Sequence, residues 1–281
     1  MSSASNFHLP VPRLPADIYS HIHDTARRFA SDRVRPRAAE LDETEAFPAE
    51  LYEEMAQLGL FGITVPEDFG GAGLDALSYS LVMEELSRGY ASVADQCGLV
   101  ELIGTLLSVH GTKTQREMYL SDVLAARKRV SYCITEAEAG TDVSGVKTTA
   151  RRDGDEYVLN GAKAWTTHGG RADFYLVMAR TSADRSGISS FLVPADTPGV
   201  TRNKIRGKMG IRSSDTAEVA FEDVRVPQAN LVGKEGRGFY QLMHFFDTTR
   251  IMVAAQGLGL SEACLETSIK YCKERTAFGT P

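Results

Sequence analysis

Cysteine is scarce, tryptophan occurs once, and the chain has neither a surplus of positive charge nor a long apolar run. Its four cysteines, Cys97, Cys133, Cys264 and Cys272, form no Cys-x-x-Cys pair, which argues against a zinc site and a disulfide framework and fits a reducing cytoplasm. With a net charge of -6 and a pI of about 5.6, the chain has no basic excess to displace phosphate counterions, so non-specific nucleic-acid binding is not expected. The first residues lack the basic and apolar regions of a signal peptide, and no apolar run approaches the about 18 residues of a membrane span. Neither export nor a membrane is expected, and the localisation expected is cytoplasmic. Gly233 to Gly238 resembles a phosphate loop but lacks its Gly-Lys-Ser/Thr ending, so it reads as the turn that launches a helix.

What is present is 281 residues, 43% of them hydrophobic, enough for two domains or one large one. Residues 1–15, with Pro10, Pro12 and Pro15, read as a flexible leader. From Asp17 a helical stripe of Ile18, Ile22, Ala26, Phe29 and Ala30 runs to a stop at Pro36. A second helix over 49–58 should bury Leu51, Met55 and Leu58 before Gly59. The glycine-rich segment 62–75 reads as a tight loop whose Asp75 caps the next helix. That helix, 77–87, turns Leu81, Val82 and Leu86 inward and Glu84-Glu85 to solvent. A long helix follows over 93–110, in whose apolar stretch Glu101 either points to water or marks a polar substrate tail. One more amphipathic helix spans 113–124, after a break at Gly111-Thr112.

Beyond residue 128 the composition changes to short β-branched runs. Strands are expected over 130–135, 146–151, 157–160, 174–178, 190–193 and 217–226, with hairpin turns at Asp153-Gly154 and Asn160-Gly161. From Phe239 the pattern is helical again. A helical block (1–128), a β block (129–241) and the start of a second helical block (242–281) define an α+β class with an antiparallel barrel or sandwich in the middle, not a Rossmann alternation.

Two motifs lie in the β block: Tyr132-Cys133-Ile134-Thr135-Glu136, running on to Ala139-Gly140-Thr141-Asp142, and Lys163-Ala164-Trp165-Thr166-Thr167-His168-Gly169. Alone, Trp165-x-Thr167 reads as a core aromatic beside a sheet threonine. Together the two strings resemble the flavin-site motifs of the acyl-CoA dehydrogenase family. Val65-Pro66-Glu67, with Gly70-Gly71 and Gly73, Lys208 to Thr216 and Phe221 to Pro227 also resemble family segments, so the resemblance covers about residues 17–281.

The resemblance implies FAD. Tyr132, Ile134 and Thr135 would face the pyrimidine side of its ring, Gly140 and Thr141 the pyrophosphate turn, Trp165 the ring itself and Thr167 its N5. Arg275 and Phe278, in Arg275-Thr276-Ala277-Phe278-Gly279, would reach the flavin of a neighbouring subunit. Thr141, Leu102, Asp247 and Arg250 would meet acyl-CoA. Thr249 stands where some members carry a catalytic glutamate; a hydroxyl is no base at neutral pH, so the base is expected in a C-terminal region that the sequence, ending at Pro281, does not include. The implied activity is α,β-desaturation of an acyl-CoA to the trans-2-enoyl-CoA, with electrons passed to electron-transferring flavoprotein by a homotetramer or homodimer. Two alternatives stay open. One is a flavin- and acyl-CoA-binding subunit that needs a partner chain; the other is a same-fold enzyme oxidising nitroalkanes or removing sulfinate. The chain departs from the pattern at Ala137 (usually proline), Thr141 (usually serine) and His168 (usually asparagine), and His168 is expected to be an exposed loop residue.

Overall fold

The computed structural model describes residues 14–184 and 187–280, so the leader expected over 1–15 lies almost wholly outside the described residues. Helix α1 (Ala16–Phe29) begins behind Pro15 and buries Ile22, Ala26 and Phe29, with Asp17 in its first turn and Arg27 and Arg28 in its last, as the helix dipole favours. Pro36 does not end the helical path. A wide turn (Ala30–Val34) and a tight one (Arg35–Arg37) re-register the backbone hydrogen bonds, so the proline falls in the first turn of a new segment, where its missing N–H costs little, and α2 (Ala38–Thr44) follows. Helix α3 (Ala49–Gln57) buries Leu51, Tyr52 and Met55, whereas Leu58, expected inside, lies past its end and is exposed.

Asp75 accepts the Ser78 N–H and opens α4 (Ala76–His110), which is broken at Tyr90 (φ -166°, ψ 117°), where the Tyr90 hydroxyl donates to Asp42. Helix α4 is long and apolar enough to cross a membrane by length and composition, yet 72% of its most apolar window is buried in the protein, the setting of a core helix. Glu85, expected in solvent, is 1% exposed: Arg88 donates to it at 2.8 Å, and His23 and Arg27 lie at 3.0 and 3.3 Å. A carboxylate so enclosed needs these partners. Arg88 also reaches Glu266 of the last helix, α7 (Gly238–Glu274), at 3.0 Å. The two long helices cross closely because Gly259 has no side chain; a Cβ there would stand 2.0 Å from the Glu84 carbonyl oxygen. Between the early helices and the sheet, α5 (Lys113–Gln115) starts with a Thr112/Gln115 capping box and continues to α6 (Ser121–Leu124).

The sheet has eight strands: β1 (Val130–Cys133), β2 (Thr149–Asp153), β3 (Glu156–Thr167), β4 (Phe174–Arg180), β5 (Ile188–Pro194), β6 (Val200–Lys204), β7 (Thr216–Pro227) and β8 (Leu231–Val232). Their order is β6-β7-β3-β2-β4-β5-β8, with β1 against β4. Pairing is antiparallel except β1–β4 and the single β2–β4 bridge. Strand β4 is buried on both faces, so its sequence is a continuous apolar run: Phe174, Leu176 and Met178 join the core shared with the helices, while Tyr175, Val177 and Ala179 join a second core within the sheet.

Asp153 and Glu156 are paired across the turn between β2 and β3, as expected. Asn160-Gly161, however, is not a turn. It lies inside β3, where the register against β7 slips, and Gly161 (φ 149°) passes so near Thr148 that a Cβ would lie 2.4 Å from its hydroxyl. Strand β6, polar and largely exposed, gave no alternating signal in the sequence.

Candidate active site

After β1 the chain turns through Ile134–Gly140, and one carboxylate fixes the turn. Glu136 accepts the backbone N–H of Lys147 (2.7 Å) and of Thr148 (2.9 Å) and pairs with Lys163 at 2.8 Å. The Lys163 ammonium, fully buried, also donates to the Ile134 carbonyl at 3.0 Å. Burial alone would raise the Glu136 carboxyl, but the Lys163 bond and charge outweigh it and hold it below the usual range. Ala164 N–H donates to the Thr135 carbonyl at 2.8 Å, so the turn is tied along β3.

Beyond Lys163 strand β3 bulges. Trp165 adopts φ 57°, a left-handed conformation costly for a bulky residue, and its side chain is 62% exposed. Two residues on, the Thr167 carbonyl accepts the Ser131 hydroxyl at 2.5 Å, which fixes the strand end beside β1. Trp165, Thr167 and Tyr132 thereby form one wall of a cavity of about 260 Å³. The second part of α4 supplies Asp95, Leu99 and Leu102 to it, and α7 supplies Phe245, Thr249 and Gln256. A second cavity of about 240 Å³ abuts the first at Tyr79, Phe245 and Thr249, running between the 62–76 loop, α4 and α7 past Thr105 and His110.

Two carboxylates of α4 border these cavities. Glu101 is buried, with one oxygen accepting the Ile63 N–H (2.7 Å) and the other the Thr64 N–H (2.6 Å) and hydroxyl (2.5 Å). Burial pushes its carboxyl up against the pull of those donors. Of the two readings left open for it, the first does not hold: it is buried rather than turned to water, and it accepts from the glycine-rich loop while lining the second cavity. Asp95 accepts the Ser214 hydroxyl at 2.5 Å, and burial raises its carboxyl against that bond and the Lys208 charge. The Tyr132 hydroxyl is buried and has no hydrogen-bond partner among the described residues.

These positions match known proteins. Residues 19–127, 131–224 and 236–281 match the N-terminal, middle and C-terminal domains of acyl-CoA dehydrogenase respectively. The chain belongs to the acyl-CoA dehydrogenase family. The probable acyl-CoA dehydrogenase YngJ of Bacillus subtilis is 39% identical over 264 residues, covering 92% of this chain and 70% of that one. The short-chain specific mitochondrial acyl-CoA dehydrogenase of Bos taurus is 40% identical, covering 94% and 65%. Among solved structures, butyryl-CoA dehydrogenase from Megasphaera elsdenii superposes with a TM-score of 0.89 at 38% identity over 96% of this chain and 73% of its own. A glutaryl-CoA dehydrogenase from Mycobacterium smegmatis in complex with FADH2 gives 0.89 at 32% identity, over 95% and 68%. The chain thus spans 65 to 70% of the length of these two curated relatives. Acyl-CoA dehydrogenases are FAD-dependent.

Of the residues that the family motifs single out, Tyr132, Trp165, Thr167 and Leu102 come together at the cavity, with Thr249 beside them. Ile134 and Thr135 are half-buried in the turn next to it, and Gly140 and Thr141 are exposed. Asp247 and Arg250 lie on the exposed side of α7, 3.7 Å apart. Arg275 ends α7, roughly 39 Å along the helix from Thr249 at 1.5 Å per residue, and Phe278 is wholly exposed, so neither reaches the cavity of its own chain.

His168, expected in an exposed loop, is completely buried instead. Its ring packs edge-on against Phe47 and Tyr52 with centroids 5.4 and 5.5 Å away, Nδ1 lies 3.2 Å from the Val130 carbonyl, and Nε2 has no hydrogen-bond partner among the described residues. Burial drives its pKa down to about 4, so it is neutral near pH 7. Sequence reasoning missed Asp95, Ser214 and the anchoring pair Glu136–Lys163. The one available signal for Asp95 was an acid within the apolar stripe of Val93, Cys97 and Val100.

Proposed function

We propose that the protein is an FAD-dependent acyl-CoA dehydrogenase that desaturates a short acyl thioester between its α and β carbons. The observation that carries this reading is the convergence of Trp165, Thr167 and Tyr132 with α4 and α7 on one cavity. The residues suit a flavin in two ways. A large aromatic stands 62% exposed on strained backbone, where a flat heteroaromatic ring would cover it, and the Thr167 side chain lines the same cavity wall. FAD, when bound, supplies the acceptor for the β-hydride. Thr167 places a hydroxyl donor where that acceptor gains charge, which is electrostatic preorganisation. Thr135 and Ile134 present the strand end to the ring, Gly140 and Thr141 the turn to its phosphates, and Leu102 packs on the acyl chain. Asp247 and Arg250 meet the CoA portion. Thr249 lines the cavity as a neutral hydroxyl and takes no proton; the α-proton would go to a carboxylate of the family's C-terminal helical domain, whose match here covers residues 236–281.

Arg275 and Phe278, remote from this cavity, serve that of a second copy, so the working unit is a homodimer or homotetramer. Electron-transferring flavoprotein reoxidises the cofactor. The units are helical (1–128), β (129–241) and helical (from 242). The four free cysteines fit a cytoplasmic setting. Support for a short acyl chain is the modest cavity volume and the short-chain names of relatives at about 40% identity.

The test is anaerobic titration of the purified holoenzyme with a panel of acyl-CoA thioesters, read at the flavin absorbance band. Bleaching by a short thioester with release of the enoyl product is the expected result. A yellow protein that no thioester bleaches, but that a co-expressed chain renders active, would replace this reading with that of a binding subunit.

A further inference from the structure

The cavity wall offers polar atoms that a plain alkyl chain cannot use. Asp95 is a half-buried carboxylate on an apolar stretch of α4, and it lines the cavity. Ser214 holds one of its oxygens at 2.5 Å; the other has no hydrogen-bond partner among the described residues. The nearest cation, Lys208, is occupied, donating to the carbonyls of Ile211 and Ser214 at 2.7 Å and to the Thr216 hydroxyl at 2.6 Å. Across the same cavity the Tyr132 hydroxyl is more than nine-tenths buried and partnerless. No lysine or arginine lines this cavity among the described residues.

A buried polar group left open, as the Tyr132 hydroxyl is, is costly unless something completes it, and the free Asp95 oxygen becomes so once a ligand drives water from the cavity. Glu101, six residues further along the helix, shows how this protein treats a buried carboxylate that serves structure alone: three donors occupy it. Asp95 has one donor and faces the space where the acyl chain would lie. An alkyl chain there would leave its free oxygen dry and unpaired, whereas a chain bearing a hydroxyl or ammonium would donate to it. A chain bearing a carboxylate would meet a like charge with no compensating cation.

We propose that Asp95, in the cavity that Tyr132 also lines, makes this a dehydrogenase of acyl thioesters whose chain carries a hydrogen-bond donor, a hydroxyl or an amine, and that the Asp95 charge disfavours chains bearing a carboxylate. The assignment rests on the dehydrogenase reading and adds the class of acyl group to it.

The experiment uses the holoenzyme and short acyl-CoA thioesters matched in length. One is unsubstituted, and the others carry a hydroxyl, an amine or a carboxylate, each walked along the chain. Dissociation constants come from calorimetry, and flavin bleaching is followed anaerobically in parallel. At one position at least, the hydroxyl or amine compound binds about tenfold tighter than the alkyl one, and its carboxylate counterpart about tenfold weaker, the scale of one hydrogen bond to a charged group. Asp95→Asn keeps much of the hydroxyl preference and loses that for the amine. Asp95→Leu loses both and favours the alkyl chain, while Tyr132→Phe gives a smaller loss. Flavin content and the melting profile verify that each variant is folded; should Asp95→Leu not fold, the near-isosteric Asp95→Asn decides. If the wild type binds the alkyl compound as well as any substituted one, or Asp95→Asn leaves the amine preference intact, the proposal is overturned while the dehydrogenase reading stands. If no thioester binds or bleaches the flavin, both fall together.

Discussion

Glu101 and Asp95 lie on the same helix, border adjoining cavities and differ in how their surroundings treat them. At Glu101 the glycine-rich loop closes over the carboxylate and brings two backbone N–H groups and a hydroxyl to it. At Asp95 the β segment sends a single serine, and across the cavity stand an unpartnered phenol and an exposed tryptophan on strained backbone. The first region is complete in itself. The second leaves a phenol without a hydrogen-bond partner among the described residues. The two α4 carboxylates thus differ in how many donors their surroundings bring to them.

The sharpest break of that contrast is Glu101→Ala. It strips the acceptor from two backbone N–H groups that cannot move away and from a hydroxyl that can rotate, and chemical denaturation should show a loss of about 2–6 kcal/mol at roughly 1–3 per orphaned backbone donor. A loss below about 1 kcal/mol would place Glu101 in the open class with Asp95. His168 tests the closed region by titration. Its folded pKa of about 4 lies below the ordinary 6.5, so the unfolded chain binds more protons between the two values. The stability associated with the neutral ring is present above pH 6.5 and is lost as the pH falls through the folded value, about 3 kcal/mol in total. His168→Asn should flatten the stability profile across that window, and an unchanged acid slope would assign the loss to other groups.

In the open region, Trp165→Ala should leave the fold intact and weaken FAD retention by about 1 kcal/mol, close to fivefold, as read by equilibrium dialysis of the flavin. Unfolding of that variant would make the tryptophan a framework residue. The smallest change expected is in the stability of Asp95→Asn, within about 1 kcal/mol of the wild type by melting, because only one hydrogen bond is altered and the amide can still accept it.

Much of this architecture was legible from local pattern. The stripe of α1, the Asp75 cap, the apolar run of β4 and the Asp153-Gly154 turn depend on residues close together in the chain, and the two motifs around Thr135 and Trp165 marked the cavity wall. The misreadings share one cause. Glu85 and Leu58 were placed by helical periodicity, which assigns a face but not what covers it, and Arg88 with α7 covers Glu85. Asn160-Gly161 has the composition of a turn, but its glycine serves the passage of β3 over Thr148. His168 follows a motif that ends in a loop in sequence, yet Phe47 and Tyr52, far away in the chain, close over it.

By itself, then, the sequence determined the order of helical and β segments, the family and the two motifs that supply the cavity wall, because propensity, capping and motif spacing are properties of neighbouring residues. Only the tertiary structure decided that Glu101 meets three donors, that Glu136 and Lys163 anchor the turn after β1, and that Asp95 and Tyr132 line one cavity. Those outcomes depend on donors brought from distant segments, and hydrogen-bond satisfaction is fixed only when those segments meet.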